Sequence, residues 1–583
     1  MDLSARLPRP ALAPLTACAL LLAAGAAAAD NTGFMAGFPA RRGDGPAISG
    51  AAAKINGAAM LENIKVLASD DFEGRSPGTP GEDKTIAYLQ QQFRKLGLSP
   101  GNPDGSYLQA VPMEAGISTP KISFSTGAKS TELHFPDDIV AWDSRREPEM
   151  NRVGSELVFV GYGVTAPEYR WDDYKGVDLK GKTLLMLIND PPVPDPRHPG
   201  LLDPATFGGD AMTYYGRWTY KYEMAAKLGA AGALIIHETK AAAYPFAVVQ
   251  NSWGRENFAL AQPDGAANPD LPPLAGWIQL DRARDIFRSV GMDFDTAKQA
   301  ALSRDFRPVS LGVTLDATSI NRWRDVASHN VVAKITGSDP VLKNEVVVYT
   351  AHWDHFGIDE HLPGPRSAQI FHGAQDNASG VAMLLEVARA YKAMKTPPRR
   401  TILFLLTTGE ERGLLGAQYY ARHPLYPLQK TVLGINVDMA NLWGRTRDIE
   451  IIGAGKSTAD DLVVAAAKRQ RRKARPDSKP EAGRFYRSDQ LELAKAGVPV
   501  LFLKGGTDYV GKPAGFGKAT LDAFTAQDYH KVSDNVRPDW NMAGAVQDAQ
   551  LIYAVGLAAA NAKTTPQWKP GAEFRAARAG AQP

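Results

Sequence analysis

From about residue 330 onward the chain repeats one pattern, an apolar run, a polar loop and then an amphipathic stretch. The runs "EVVVYTA", "TILFLLTT", "TVLGINVD", "IEIIGAG" and "VPVLFLKG" are almost continuously hydrophobic, as expected of strands buried on both faces. "SGVAMLLEVARAYKAM" and "DDLVVAAAKRQ" carry helical spacing and predict covering helices. This alternation predicts an α/β fold with a mostly parallel central sheet flanked by helices, its ligands gathering beyond the carboxyl ends of the strands. Earlier in the chain, Ile86, Leu89, Phe93 and Leu96 recur at helical spacing until Gly97, with Thr79 and Glu82 as a capping box. Between about 155 and 310 the runs "SELVFVGYG", "KTLLMLIND" and "AGALIIHE" alternate with Pro- and Gly-rich connections, which predicts a separate β-rich module. The tail from about Pro566 is expected to be disordered.

At 583 residues the chain is too long for one ordinary domain. Hydrophobic residues make up 44% and charged residues 22%, and the formal net charge is +3. That balance belongs to a globular protein and gives no electrostatic footprint for nucleic acid. The basic run "KRQRRKAR", Lys468 to Arg475, reads as a solvated helix end. Arg6 and Arg9 precede the apolar stretch "LTACALLLAAGAAAA", the layout of a secretory signal peptide cleaved after Ala29. The expected location is therefore periplasmic or extracellular, with no integral membrane segment in the mature chain. Cys18, the one cysteine, falls inside that signal, so no disulfide is available. It precedes most of the apolar run, which disfavours lipidation.

The residues that follow each predicted strand carry the chemistry. His352 and Asp354 follow the first run, Asp376 stands just ahead of a helix start, and Glu410 and Glu411 follow "TILFLLTT". "TVLGINVD" ends at Asp438, and His530 lies in "DYHKVSD" after the last strand. Two imidazoles with several carboxylates and no thiolate suit zinc or a similar divalent transition ion. Consecutive side chains at a strand end point apart, so Glu410 and Glu411 are free to serve different tasks.

"HWD", "DNASG", "GEERGLLG", "NVD" and "YHKVSD", in this order and spacing, resemble the M28 family of co-catalytic zinc peptidases. "LASDDFEGRSPGTPG" resembles the start of the same catalytic domain, while "LVFVGYGVTAPEYRWDDYKGVDLKGKTLLMLIND" and "KYEMAAKLGAAGALIIHE" resemble the protease-associated (PA) domain often inserted into it. The resemblance implies a zinc-peptidase-like α/β/α sandwich. It implies the segments 1–29 (signal), 30–150 (first part of the peptidase domain), 151–320 (inserted PA domain), 321–565 (main peptidase part) and 566–583 (tail). It also implies two Zn2+ per chain, other divalent transition metals being possible. His352 and Asp438 would hold one ion, Glu411 and His530 the other, and Asp376 would bridge them. Glu410 would be the general base for a metal-bridging water, and Asp354 would stand behind His352. Gln375 and Gln490 depart from the usual family pattern, where an acidic residue and a histidine are common.

The implied activity is that of an exported aminopeptidase acting on peptides. The alternatives are a carboxypeptidase with the same metal site, which a cluster of arginines facing the site would favour, and a peptide-binding protein on the peptidase scaffold. Preferred residue and oligomeric state stay open. "VFVGYGVTA" lacks the helix a dinucleotide fingerprint needs, and "EIIGAGKST" lacks the first glycine of a phosphate loop. His355, His361 and His372 flank the motif and are read as loop or supporting residues. His198 and His237 are the inserted module's only histidines and are read as structural.

Overall fold

The computed structural model describes residues 49–263 and 266–580. The export signal expected at 1–29 lies outside the described residues. Thirteen strands carry the argument: β1 (Leu108–Thr126), β2 (Ile139–Asp143), β3 (Glu149–Phe159), β4 (Thr183–Leu187), β5 (Gly232–His237), β6 (Leu274–Gln279), β7 (Val309–Ile335), β8 (Val346–His352), β9 (Thr401–Thr407), β10 (Thr431–Asn436), β11 (Asp448–Ile452), β12 (Lys473–Pro476) and β13 (Val500–Gly505). They join one sheet in the order β12-β11-β13-β10-β8-β9-β7-β3-β4-β5-β6-β2, with β1 paired to β7 off this path.

The half that bears the site is parallel at its centre. β8 pairs in parallel with both β9 and β10, and β10 with β13, while β7 and β11 close it antiparallel. Alternate side chains serve opposite faces. Val347, Tyr349 and Ala351 of β8, with Ile402, Phe404 and Leu406 of β9, pack under helices Gly57–Leu67, Pro80–Leu96, Ser379–Lys392 and Ala543–Asn561. Val346, Val348, Leu403 and Leu405 face the other way, toward Tyr420, Leu491 and Leu493 from two shorter helices. Burial on both faces is why these runs read as continuously apolar.

The second half of the sheet repeats this logic. Strands β3 to β6 are parallel neighbours. Leu185, Leu234 and Ile236 pack on helix Leu280–Ser289, whereas Leu184, Met186 and Ile235 pack on Trp218–Lys227. The region therefore carries helices on both faces, where the sequence pattern suggested strands and loops. Both halves share β7, a strand of 27 residues that pairs with β1 and β3 and then with β9.

Three expectations are corrected. The tail from Pro566 is packed: Trp568 is buried and donates from Nε1 to the Gly497 carbonyl at 2.9 Å, and Phe574 joins the same cluster. Its aromatic residues fill the outer face beside β13, which composition alone did not show. The basic run is not wholly solvated, since Arg472 is buried against Asp548 at 2.7 Å. The helix Pro80–Leu96 ends at Gly97 as predicted, with φ 72°, but the capping box does not form. Thr79 Oγ1 donates to Ser76 O instead, and Glu82 accepts from Gly78 N and the Ser328 hydroxyl. No helix among the described residues is long and apolar enough to cross a membrane.

Candidate metal centre

The parallel strands end on one side, and their last residues converge. His352 closes β8 and Asp438 follows β10. Glu410 and Glu411 follow β9 after Gly409, whose φ of 63° makes the turn. His352 Nε2 lies 3.2 Å from Asp376 Oδ1 and 3.9 Å from Asp438 Oδ1. His530 Nε2 lies 3.3 Å from Asp376 Oδ2 and 3.2 Å from Glu411 Oε2. Asp376 thus presents one oxygen to each histidine, with a further carboxylate completing either side. Glu410 Oε2 stands 4.0 Å from His352 Nε2. The groups His352–Asp376–Asp438 and His352–Glu410–Glu411 each bring donor atoms within 4.8 Å of one another.

Asp354 stands behind His352, and its carboxylate also holds the turn after β9. His352 Nδ1 is 3.2 Å from the Asp354 backbone carbonyl and 3.8 Å from Oδ1. The carboxylate accepts from the backbone N–H of Glu410 at 3.1 Å and of Glu411 at 3.4 Å. It therefore fixes the turn that points the two glutamates apart.

Several positioning residues escaped the sequence reading. Asp534, four residues beyond His530, accepts from the N–H groups of Gln375 at 2.9 Å and Asp376 at 3.0 Å. Asn377 Oδ1 accepts from Gly380 N at 3.0 Å and Met439 N at 2.9 Å, and Nδ2 donates to Val437 O at 3.0 Å. It ties the loop of Asp376 to the backbone on both sides of Asp438. Arg75, fully buried, donates to the carbonyls of Leu67, Trp353, His372 and Gly373. The quoted motifs "EGRSPG", "DNASG" and "YHKVSD" contain all three, but nothing in their spacing assigned them partners. His355, read as a supporting residue, places Nδ1 2.6 Å from Glu411 Oε1, leaving the other oxygen for His530. A further grouping of His355, Asp376 and Glu411 brings donor atoms within 4.8 Å. His372 pairs with Asp70 at 2.8 Å. His198 pairs with Asp195 at 2.9 Å, and His237 Nε2 meets Tyr244 O at 3.1 Å. Neither of these last two approaches the cluster.

The electrostatics mark the cluster as a cation site. Burial pushes Glu410 well above the usual carboxylate range and Glu411 up to about 8, and neighbouring carboxylates add to both shifts. Asp376 is held well below that range, because His352 and His530 outweigh its burial. Burial also raises Asp489 to about 7, its Oδ1 sealed without a hydrogen-bond partner. So many anions in one buried place are stable only with added positive charge. Imidazole and carboxylate donors, without thiolate, fit zinc.

The peptidase family M28 profile matches residues 330–554, which span β8 to β13 and every residue of the cluster. A probable leucine aminopeptidase 2 from Aspergillus oryzae is 30% identical over 151 residues, 26% of this chain and 26% of that protein. Carboxypeptidase Q from Xenopus laevis is 28% identical over 159 residues, 27% of this chain and 30% of that one. The matches thus reach 26% and 30% of these two curated relatives' own lengths. Among solved structures, an aminopeptidase from Aneurinibacillus sp. strain AM-1 aligns over 87% of this chain and 95% of its own, at 18% identity and a TM-score of 0.49. Residues 330–554, which hold every residue of the cluster, thus match peptidase family M28.

Proposed function

We propose that the protein is an exported di-zinc aminopeptidase that removes residues from the amino termini of peptides. The observation that carries this reading is Asp376, which turns Oδ1 toward His352 and Oδ2 toward His530. In this reading His352 and Asp438 hold one ion, Glu411 and His530 the other, and Asp376 serves both. When bound, zinc polarises the scissile carbonyl and lowers the pKa of water. Glu410 takes the proton from the attacking water and passes it to the departing amine. Asp354 keeps Glu410 and Glu411 divergent, so that base and ligand stay separate. Asn377 and Asp534 hold the Asp376 loop at fixed distance from both histidines.

The aminopeptidase choice follows the leucine aminopeptidase relative. Carboxypeptidase Q among the relatives keeps the opposite polarity as the second reading. The amino-terminal pattern of Arg6 and Arg9 before an apolar run supports export. Segment 151–320 is read as a PA domain inserted between the two parts of the peptidase domain, 30–150 and 321–565. The test is to assay the purified, zinc-loaded protein on aminoacyl chromogenic amides beside amino-blocked peptides, with zinc counted per chain. Cleavage confined to free amino termini with two zinc ions supports the reading. Cleavage of amino-blocked peptides from the carboxyl end selects the alternative.

A further inference from the structure

The two histidines of the centre are not held alike. His352 Nδ1 lies 3.2 Å from the Asp354 carbonyl, the kind of contact that ordinarily fixes the ring of a metal-binding imidazole. His530 Nδ1 is sealed with no hydrogen-bond partner among the described residues, so packing alone sets the direction of its Nε2. Two rings supply that packing. Tyr529 stacks on His530 with centroids 3.8 Å apart, and Phe356 meets it edge to face at 4.8 Å. Phe356 also lies 5.0 Å from His355, whose Nδ1 is 2.6 Å from Glu411 Oε1. It therefore bears on both imidazoles that approach Glu411.

Phe356 is in turn tied to segment 151–320. Arg412, the residue after Glu411, lies 5.1 Å from the Phe356 ring and 4.9 Å from the Phe258 ring, and so spans the two. Its hydrogen bonding is poor: Nη2 reaches the Phe356 carbonyl only at 3.4 Å, Nε is sealed without a partner, and no carboxylate among the described residues pairs with it. Two other arginines around Phe258 are anchored by charge. Arg255 pairs with Asp359 at 2.9 Å, and Arg324, 5.6 Å from the same Phe258 ring, is gripped by both oxygens of Glu256 at 2.7 Å. Attraction to two aromatic faces, effective within about 6 Å, is thus what holds Arg412. Phe258 stands on strand Asn257–Leu260, which pairs antiparallel with β1, and packs with Met113, Leu260 and Leu415. A row of contacts therefore runs from that strand through Arg412 and Phe356 to His530.

We propose that Phe258 is a positioning residue for the His530 side of the centre, acting through Arg412 and Phe356. This rests on the two-ion reading above. The Phe258 ring keeps Arg412 against Phe356, and Phe356 keeps the His530 ring turned toward Asp376 and Glu411. The ion held by Glu411 and His530 then depends on segment 151–320. The ion held by His352 and Asp438 does not, because His352 has its own carbonyl partner.

Zinc affinity, measured on the full chain by competition with a chelating dye, tests this. Leucine at position 258 keeps the apolar packing and removes the ring face. F258L should weaken one of the two zinc-binding steps by roughly 10-fold, the lower end for lost support of a metal ligand, and leave the other unchanged. F258Y, which keeps the ring, should restore it. R412M should weaken the same step, and F258L added to R412M should cost nothing further. In H530N, which gives up that ion, F258L should not alter the affinity of the ion that remains. Both steps unchanged in F258L and R412M, both weakened alike, or F258Y no better than F258L overturns the proposal while the two-ion reading stands. A wild type that binds a single ion refutes the two-ion reading instead. The same comparison is then made on that ion: a weakening in F258L that F258Y restores supports the proposal, and an unchanged affinity overturns it. A wild type that binds no zinc overturns both.

Discussion

Replacing Glu410 by Gln separates the base from the ligands. The backbone N–H of Glu410 is held by Asp354 at 3.1 Å, and its side-chain oxygen lies 4.0 Å from His352 Nε2. Gln keeps that volume and the backbone anchor. Because burial already pushes the carboxyl well up, exchanging it for a neutral amide relieves a desolvated group, so the melting temperature should hold or rise. Loss of a general base typically costs 10²- to 10⁴-fold in rate. At about 1.36 kcal/mol per decade this is about 3 to 5.5 kcal/mol of activation free energy. The assay pairs zinc counting with kcat on an aminoacyl amide. The base must be unprotonated to act, so the acid limb of the wild-type pH profile should also disappear from any residual activity. A fully zinc-loaded variant within tenfold of wild-type kcat refutes the assignment, as does a variant that loses an ion.

Asp376→Ala should retain less zinc after dialysis than a substitution at His352, Glu411, Asp438 or His530, since it alone faces both histidines; two retained ions would remove the shared carboxylate. Trp568→Ala should lower stability by roughly 3 to 5 kcal/mol, read from denaturant midpoints, because Trp568 is buried and bonded to Gly497 O; an unchanged midpoint would mean the tail does not pack. Asp143 is buried between Arg145 N and Asn321 Nδ2 at 2.9 Å each, and burial raises it from 3.8 to about 6. Its folded pKa exceeds the unfolded one, so its stabilising share is present below pH 3.8 and is lost as pH rises through about 6. The difference in melting temperature between wild type and D143N should shift across that window, and a constant difference refutes it.

His352, Glu410, Glu411 and Asp438 were legible because each stands where an apolar run stops, whereas Asp376 was read from the helix start that follows it and His530 from its motif. Val347, Leu403 and Ile435 announce their strands by hydrophobicity alone, and the next polar residue then faces the site. The supporting contacts were not legible in this way. Asn377 acts through backbone groups of residues sixty positions away, and no periodicity encodes such pairings. Asp354 was read only as the partner of His352, and its further role in accepting from the backbone amides of Glu410 and Glu411 arises from the turn at Gly409. The packed tail was missed because Trp568 and Phe574 lie isolated among polar and small residues.

The shared strand β7 also has a mechanical consequence. Along Thr314–Val331 it is zipped to β1 residue by residue, and at Val331–Ile335 it hands over to β9. A ribbon clamped along its length resists stretching and in-plane bending, yet yields to torsion. Relative motion of the halves would then be a propeller-like twist about the ribbon axis. Such a twist would turn β3 to β6 against the other half of the sheet while leaving β8, β9 and the groups at their ends unmoved.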